Sequence, residues 1–168
     1  MGAAKATEAG RILALPPGPV RIVGGGAGLR RIQWLFPGQP PTEEGEGAAY
    51  LLLERARMAL SAYFRSPHGR LPAVPLAPVA ATPFQRRVWA AMCAIPPGET
   101  RTYGELARAL GSSSRAVGQA AGANPWPILV PCHRVVAVRG PGGYVGKGEA
   151  GLAVKRWLLE HEGAAIPG

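Results

Sequence analysis

Thr102-Tyr103-Gly104-Glu105-Leu106-Ala107-Arg108-Ala109-Leu110-Gly111-Ser112-Ser113-Ser114-Arg115-Ala116-Val117-Gly118-Gln119-Ala120-Ala121-Gly122 contains two helix starts and one helix stop. A Thr followed three residues later by Glu is a capping box: the hydroxyl takes the N3 amide and the carboxylate returns to the N-cap amide. A helix is therefore predicted from Tyr103, with Leu106 and Leu110 on one stripe and Gly111 as its C-terminal stop. The serines at 112–114 offer a second N-cap to a helix running from Arg115 to Gly122. The spacing predicts helix, tight turn, helix. Beyond Arg115 this second helix carries almost no bulk, which suits close packing on another helix and close approach to a nucleic acid equally well.

Downstream, Asn124-Pro125-Trp126-Pro127 reads as a turn and Ile128-Leu129-Val130 as a short buried run. Next come Pro131-Cys132-His133-Arg134, a strand-like run from Val135 to Val138, and a turn at Gly140-Pro141-Gly142-Gly143. A thiol becomes a nucleophile when a base or a positive surrounding supplies the thiolate. His133 is adjacent, but neighbours on a strand point to opposite faces, so coupling requires a turn or a bridging water. With no aspartate in the chain, an acid that orients the base must be one of its 10 carboxylates, all glutamates. Glu162, at the end of a predicted helix over Leu152 to Leu159, qualifies if that helix packs beneath the cysteine; otherwise it is a solvated helix-end carboxylate. A Cys-His dipeptide taken alone is more often structural than catalytic.

Upstream, Thr82-Pro83-Phe84-Gln85 is another capping box with Pro at the first helical position. It predicts a helix buried along Phe84, Val88 and Met92, ended by Ile95-Pro96-Pro97-Gly98, with Cys93 as a small buried hydrophobe. Prolines are dense from Pro67 to Pro83 and predict a linker, so residues 1–80 and 81–168 are expected as separate domains. In the first, Arg11 to Leu15, Pro19 to Val23 and Leu29 to Phe36 predict a small β-meander. Ala48 to Phe64 predicts a helix with Leu51, Leu52, Arg55, Met58, Ala59 and Tyr63 at helical spacing. The expected fold class is α/β (α+β): a β-meander with one helix, then a mostly helical domain.

Nineteen Lys and Arg against 10 acids give a formal charge of +9, which suits a polyanionic partner and serves solubility equally. Two cysteines, Cys93 and Cys132, and three histidines make neither a disulfide framework nor a convincing zinc site. No metal or cofactor is expected, and His68 is read as a solvated loop residue. The Gly-rich run from Gly146 to Gly151 lacks the strand–loop–helix spacing of a phosphate loop. No signal peptide or membrane span is expected, and a monomer in a reducing cytoplasm fits best.

Taken together, Pro131-Cys132-His133-Arg134-Val135, Asn124-Pro125, Arg115-Ala116-Val117-Gly118, Thr82-Pro83-Phe84-Gln85, Tyr103 and Leu158-Leu159-Glu160-His161-Glu162-Gly163 resemble the O6-alkylguanine-DNA alkyltransferase family, over about residues 82–163. Residues 1–80 match only in layout. The resemblance implies a ribonuclease H-like first domain that supports a DNA-binding, alkyl-accepting second one containing a helix-turn-helix. It makes Cys132 the acceptor, His133 a base acting through a water, and Glu162 the group that orients His133. Tyr103 becomes the tyrosine that hydrogen-bonds and helps protonate the guanine, and Asn124 the tie between the active-site turn and the helix pair. Arg115, Ala116, Gly118, Ala121 and Arg134 are implied to meet DNA, Arg115 filling the place of a rotated-out base. Val135, Tyr144 and Val145 are implied to line the base pocket, with the carbonyls of Cys132 and Val135 accepting from the guanine amine. The implied partner is double-stranded DNA containing O6-alkylguanine, and O4-alkylthymine is a further conceivable substrate. Two departures stand out: a shortened turn before Arg115 and an extended loop over 146–151. The rival expectations are a module that recognises alkylated bases without transfer, a cysteine hydrolase, and a plain helix-turn-helix regulator.

Overall fold

Alternation of apolar and polar residues in the first segments places their bulky side chains on one face, and the register carries this through the sheet. The computed structural model describes residues 9–37, 48–69, 71–144 and 148–168. Strands β1 (Ala9–Leu13), β2 (Val20–Gly25) and β3 (Gly28–Trp34) form an antiparallel sheet in that order. The pairs Leu13–Val20, Val20–Trp34 and Ile22–Ile32 fall on its buried face. Helix α1 (Ala48–Arg65) lies on this face through Leu52, Leu53, Ala56, Leu60 and Tyr63. Glu54 of α1 takes Arg11 and Arg57 as ion partners. Gly24 lets helix and sheet touch, since a Cβ there would stand 2.7 Å from Leu52 Cδ2. The Pro-rich stretch expected as a linker is partly tied down: Leu29 N donates to Pro75 O at 2.7 Å and Ala77 N to Leu29 O at 2.9 Å.

The chain divides into two compact units, Met1–Val79 and Ala80–Gly168. In the second, α2 (Pro83–Cys93), α3 (Tyr103–Leu110) and α4 (Ser114–Gly122) are followed by a 3-10 turn (Cys132–Arg134) and α5 (Gly148–His161). Both capping boxes form: Gln85 N to Thr82 Oγ1 and Glu105 N to Thr102 Oγ1 are each 3.1 Å. Gly111 takes the left-handed conformation that closes α3, and Ser113 caps α4. The class is mixed α/β, and no helix among the described residues is long and apolar enough to cross a membrane.

Four expectations are corrected here. The strand predicted over Val135 to Val138 is only β5 (Val135–Val136), pairing in parallel with β4 (Arg101–Thr102), and Val138 is 77% exposed. Cys93 is exposed, because as the last residue of α2 it is turned about 100° from its buried neighbour Met92. Trp89, not Phe84, completes the buried stripe of α2. Gly148 to Gly151, read as loop, are the first turn of α5, where Glu149 complements the helix dipole.

Candidate active site

The approach to Cys132 is a folded loop closed on one side chain. Asn124 Nδ2 donates to Val130 O at 2.8 Å, and Asn124 Oδ1 accepts from Trp126 N at 2.9 Å. Inside this clasp Val130 N donates to Trp126 O at 2.8 Å. Ile128, with φ of 77°, is the one non-glycine residue at positive φ among the described residues. A β-branched residue there costs on the order of 1–3 kcal/mol and persists only where its surroundings fix it. They do: Ile128 is buried, and Trp126 meets Trp89 edge-on at 5.8 Å. Trp89 Nε1 in turn donates to Ala120 O at 2.8 Å, which fastens the loop to α2 and α4.

Pro131, at φ −81° and ψ 68°, is the centre of an inverse γ-turn closed by Cys132 N to Val130 O at 2.8 Å. The chain then winds through the 3-10 turn with Arg134 N donating to Pro131 O at 3.1 Å. Cys132 and His133 are thus on a turn, not a strand, which meets the first of the two conditions stated for their coupling.

His133, the next residue after Cys132, and Glu162 are almost wholly buried, with His133 Nε2 and Glu162 Oε1 2.7 Å apart. Glu162 also receives Arg134 Nε at 3.0 Å on Oε2 and Arg134 Nη2 at 2.9 Å on Oε1, with Gly98 N at 3.3 Å on Oε2. Burial raises the Glu162 carboxyl, but its bonds to His133 and Arg134 outweigh that and hold it well below the usual carboxylate range. An ionised Glu162 fixes the hydrogen of His133 on Nε2 and leaves Nδ1 the basic nitrogen. Burial pushes His133 below the usual imidazole value. It also pushes the Cys132 thiol up, against the pull of the Asn124 side chain and the charge of Lys155. The resting pair is therefore a neutral thiol and a neutral imidazole.

Arg134 requires a correction. Expected at a DNA surface, it is 7% exposed, and its Nη1 donates to Ile95 O at 2.6 Å. Its charge is used inside the protein.

Lys155 was missed from the sequence. It is fully buried in α5, and its ammonium donates to Val135 O at 2.6 Å and Gly143 O at 2.8 Å. Burial lowers it to about 8. A signal existed: Gly151, Val154, Lys155, Leu158, Leu159 and Glu162 form one helical stripe, and a lysine within an apolar stripe has to be paired. The Val135 carbonyl expected to receive the guanine amine thus already receives Lys155.

The thiol opens into a cavity of about 470 Å³ lined by Tyr103, Ser114, Arg115, Gly118, Ala121, Gly122, Cys132, Gly143 and Tyr144. That falls within the roughly 300–1,000 Å³ of ordinary small-molecule sites. Tyr103 spans it, its hydroxyl donating to Gly143 O at 3.3 Å, and burial together with the nearby Cys132 raises that hydroxyl above the usual phenol value. Arg115 is exposed at the rim. Of the other expected residues, Ala116 does not line the cavity, Val135 is buried and does not line it, Asn124 acts on both the loop and the Cys132 thiol, and Val145 lies outside the described residues.

A cysteine lining a cavity of this size, followed in the chain by a buried imidazole–carboxylate pair and accompanied by two capped helices, defines the class of protein in which a thiol faces a ligand-sized cavity. A model of the 6-O-methylguanine DNA methyltransferase DNA-binding domain matches residues 83–164. A methylated-DNA–protein-cysteine methyltransferase of Methanosarcina acetivorans is 40% identical over 157 residues, covering 89% of this chain and 94% of the relative. A probable enzyme of the same name from Acanthamoeba polyphaga mimivirus is 54% identical over 83 residues, covering 48% of this chain and 53% of the relative, about half its length. The solved structure of Mycobacterium tuberculosis OGT in complex with DNA superposes with a TM-score of 0.74 at 37% identity, covering 95% of both chains. This chain belongs to the methylated-DNA–protein-cysteine methyltransferase family.

Proposed function

We propose that the chain repairs double-stranded DNA by moving the alkyl group of an O6-alkylguanine onto Cys132, once per molecule. The observation that carries this is that Cys132 lines one cavity with Tyr103, Arg115, Gly118 and Ala121, while His133, the next residue in the chain, is paired with Glu162. The α3–turn–α4 pair serves as a helix-turn-helix whose small-residue helix enters the minor groove. O6 is unreachable in the stack, so the base is rotated into the cavity and Arg115 fills the gap.

His133 Nδ1 takes the Cys132 proton through a water, as Glu162 stabilises the imidazolium that forms. The thiolate attacks the alkyl carbon; the S–C bond forms, the C–O6 bond breaks, and the electron pair leaves with the guanine. Tyr103, still protonated, donates a hydrogen bond and then a proton to the leaving base. The Lys155 ammonium favours the thiolate by its charge, and no metal or cofactor takes part. The first unit acts as a ribonuclease H-like support, and the protein works as a monomer in the cytoplasm.

Because a thioether resists water, lesion removal should stop when the guanine repaired equals the protein added. A titration of O6-methylguanine duplex against protein tests this. A one-to-one endpoint is expected, and continued turnover would refute the suicide mechanism.

A further inference from the structure

In the transfer reaction just described, Arg134 has no part at the DNA or at the thiol, yet it occupies the centre of the buried network. Its guanidinium forks onto Glu162, Nε to Oε2 and Nη2 to Oε1 at 3.0 and 2.9 Å, while Nη1 is anchored on Ile95 O at 2.6 Å. Glu162 Oε1 is therefore shared between Arg134 and His133 Nε2. Resting on that transfer reading, we propose that Arg134 is a positioning residue of the reaction. It clamps Glu162 against His133 and balances the carboxylate charge, so that the imidazole waits neutral and able to receive the Cys132 proton.

The reasoning is electrostatic. A buried carboxylate with only an imidazole beside it favours a doubly protonated ring, since that makes a neutral pair. A ring with both nitrogens protonated cannot take the thiol proton. Arg134 already neutralises Glu162, so a second proton on His133 would leave the buried group of three with a net positive charge. Charged groups acting on this ring include Glu162 and Lys155 from the α5 side and Arg134 from its own turn; Cys132 precedes it in the chain, and Cys93 of α2 lies beside Arg134. Burial pushes His133 down most, Glu162 pulls it up, and Arg134 and Lys155 push it down again. The fork also constrains geometry: a bidentate guanidinium fixes the plane of the carboxylate and with it the direction of the bond to Nε2.

The test is the pH profile of the single-turnover rate with an O6-methylguanine duplex, for the wild type, Arg134→Gln and Arg134→Lys. Alongside it, the His133 titration is followed by NMR of the imidazole in the free proteins. Wild-type transfer to Cys132 tests the underlying reading; comparison of the variants tests this one. In Arg134→Gln the acid limb and the His133 titration should both move to higher pH, by about one unit, so that transfer on the acid side falls about tenfold further than on the plateau. Arg134→Lys keeps the charge without the fork, so it should keep the wild-type limb with a lower plateau. That variant decides the matter if Arg134→Gln does not fold. An Arg134→Gln protein that is slower at every pH with an unmoved limb, or a limb displaced upward in Arg134→Lys, would overturn the proposal.

Discussion

Lys155 reaches with its whole methylene chain to a point where the ammonium joins the carbonyl of Val135 to that of Gly143, behind the thiol and the cavity wall. Lys155→Met keeps the packing but removes the charge and takes its donor from the buried Val135 carbonyl, at about 1–3 kcal/mol. Losing the charge that favours the Cys132 thiolate should slow transfer about tenfold, which corresponds to about 1.4 kcal/mol in the barrier. Because Lys155 is lowered to about 8, its charge is lost as the pH rises through that value. The wild-type rate should decline above it, and Lys155→Met should lack that decline; a stopped-flow pH series checks both. Gly142 is held at φ +72°, where an added Cβ would stand 2.9 Å from the Tyr103 ring. Gly142→Ala should therefore displace Tyr103 and slow transfer without abolishing the thiol's reactivity towards small alkylating agents. Single residues were legible unevenly. Cys132 stood out only through the motifs around it, and Arg134 was read as a surface cation because its partners, Glu162 and the Ile95 carbonyl, are remote in sequence and met only in the fold.

Among the elements, the loop from Asn124 to Pro131 carries the site, and it depends on one amide. Asn124→Ala strips partners from Val130 O and Trp126 N, both buried, and should cost about 2–4 kcal/mol in denaturant unfolding. Thr102→Ala removes one cap and should cost only about 1 kcal/mol. Helix starts were legible because capping is local: Thr82, Thr102 and Ser113 each act on amides within three residues. The 3-10 turn at Cys132 and the brevity of β5 were not. A run of valines reads as a strand, whereas the length of β5 is set by pairing with Arg101 and Thr102, some thirty residues away. Gly148 to Gly151 misled for a related reason, since glycine and charge read as loop until the rest of α5 packs.

For the whole molecule, the buried His133–Glu162–Arg134 network predicts acid lability. His133 is depressed in the folded state, so as pH falls below the ordinary imidazole value of 6.5 the unfolded chain gains a proton that the native one refuses, and stability declines. Glu162 is depressed too, and adds a second loss as pH falls below its ordinary 4.5. Denaturant midpoints should fall steadily from neutral pH towards pH 4, and a flat profile would show that the network contributes nothing to folding. The charge of +9 was readable from composition, whereas the inward use of part of it was not. The most direct test of the central claim is intact and peptide mass spectrometry after mixing the protein with a duplex containing one O6-methylguanine. The expected result is one methyl group on the peptide bearing Cys132 and none with an undamaged duplex; tight binding with no change in mass would contradict alkyl transfer outright.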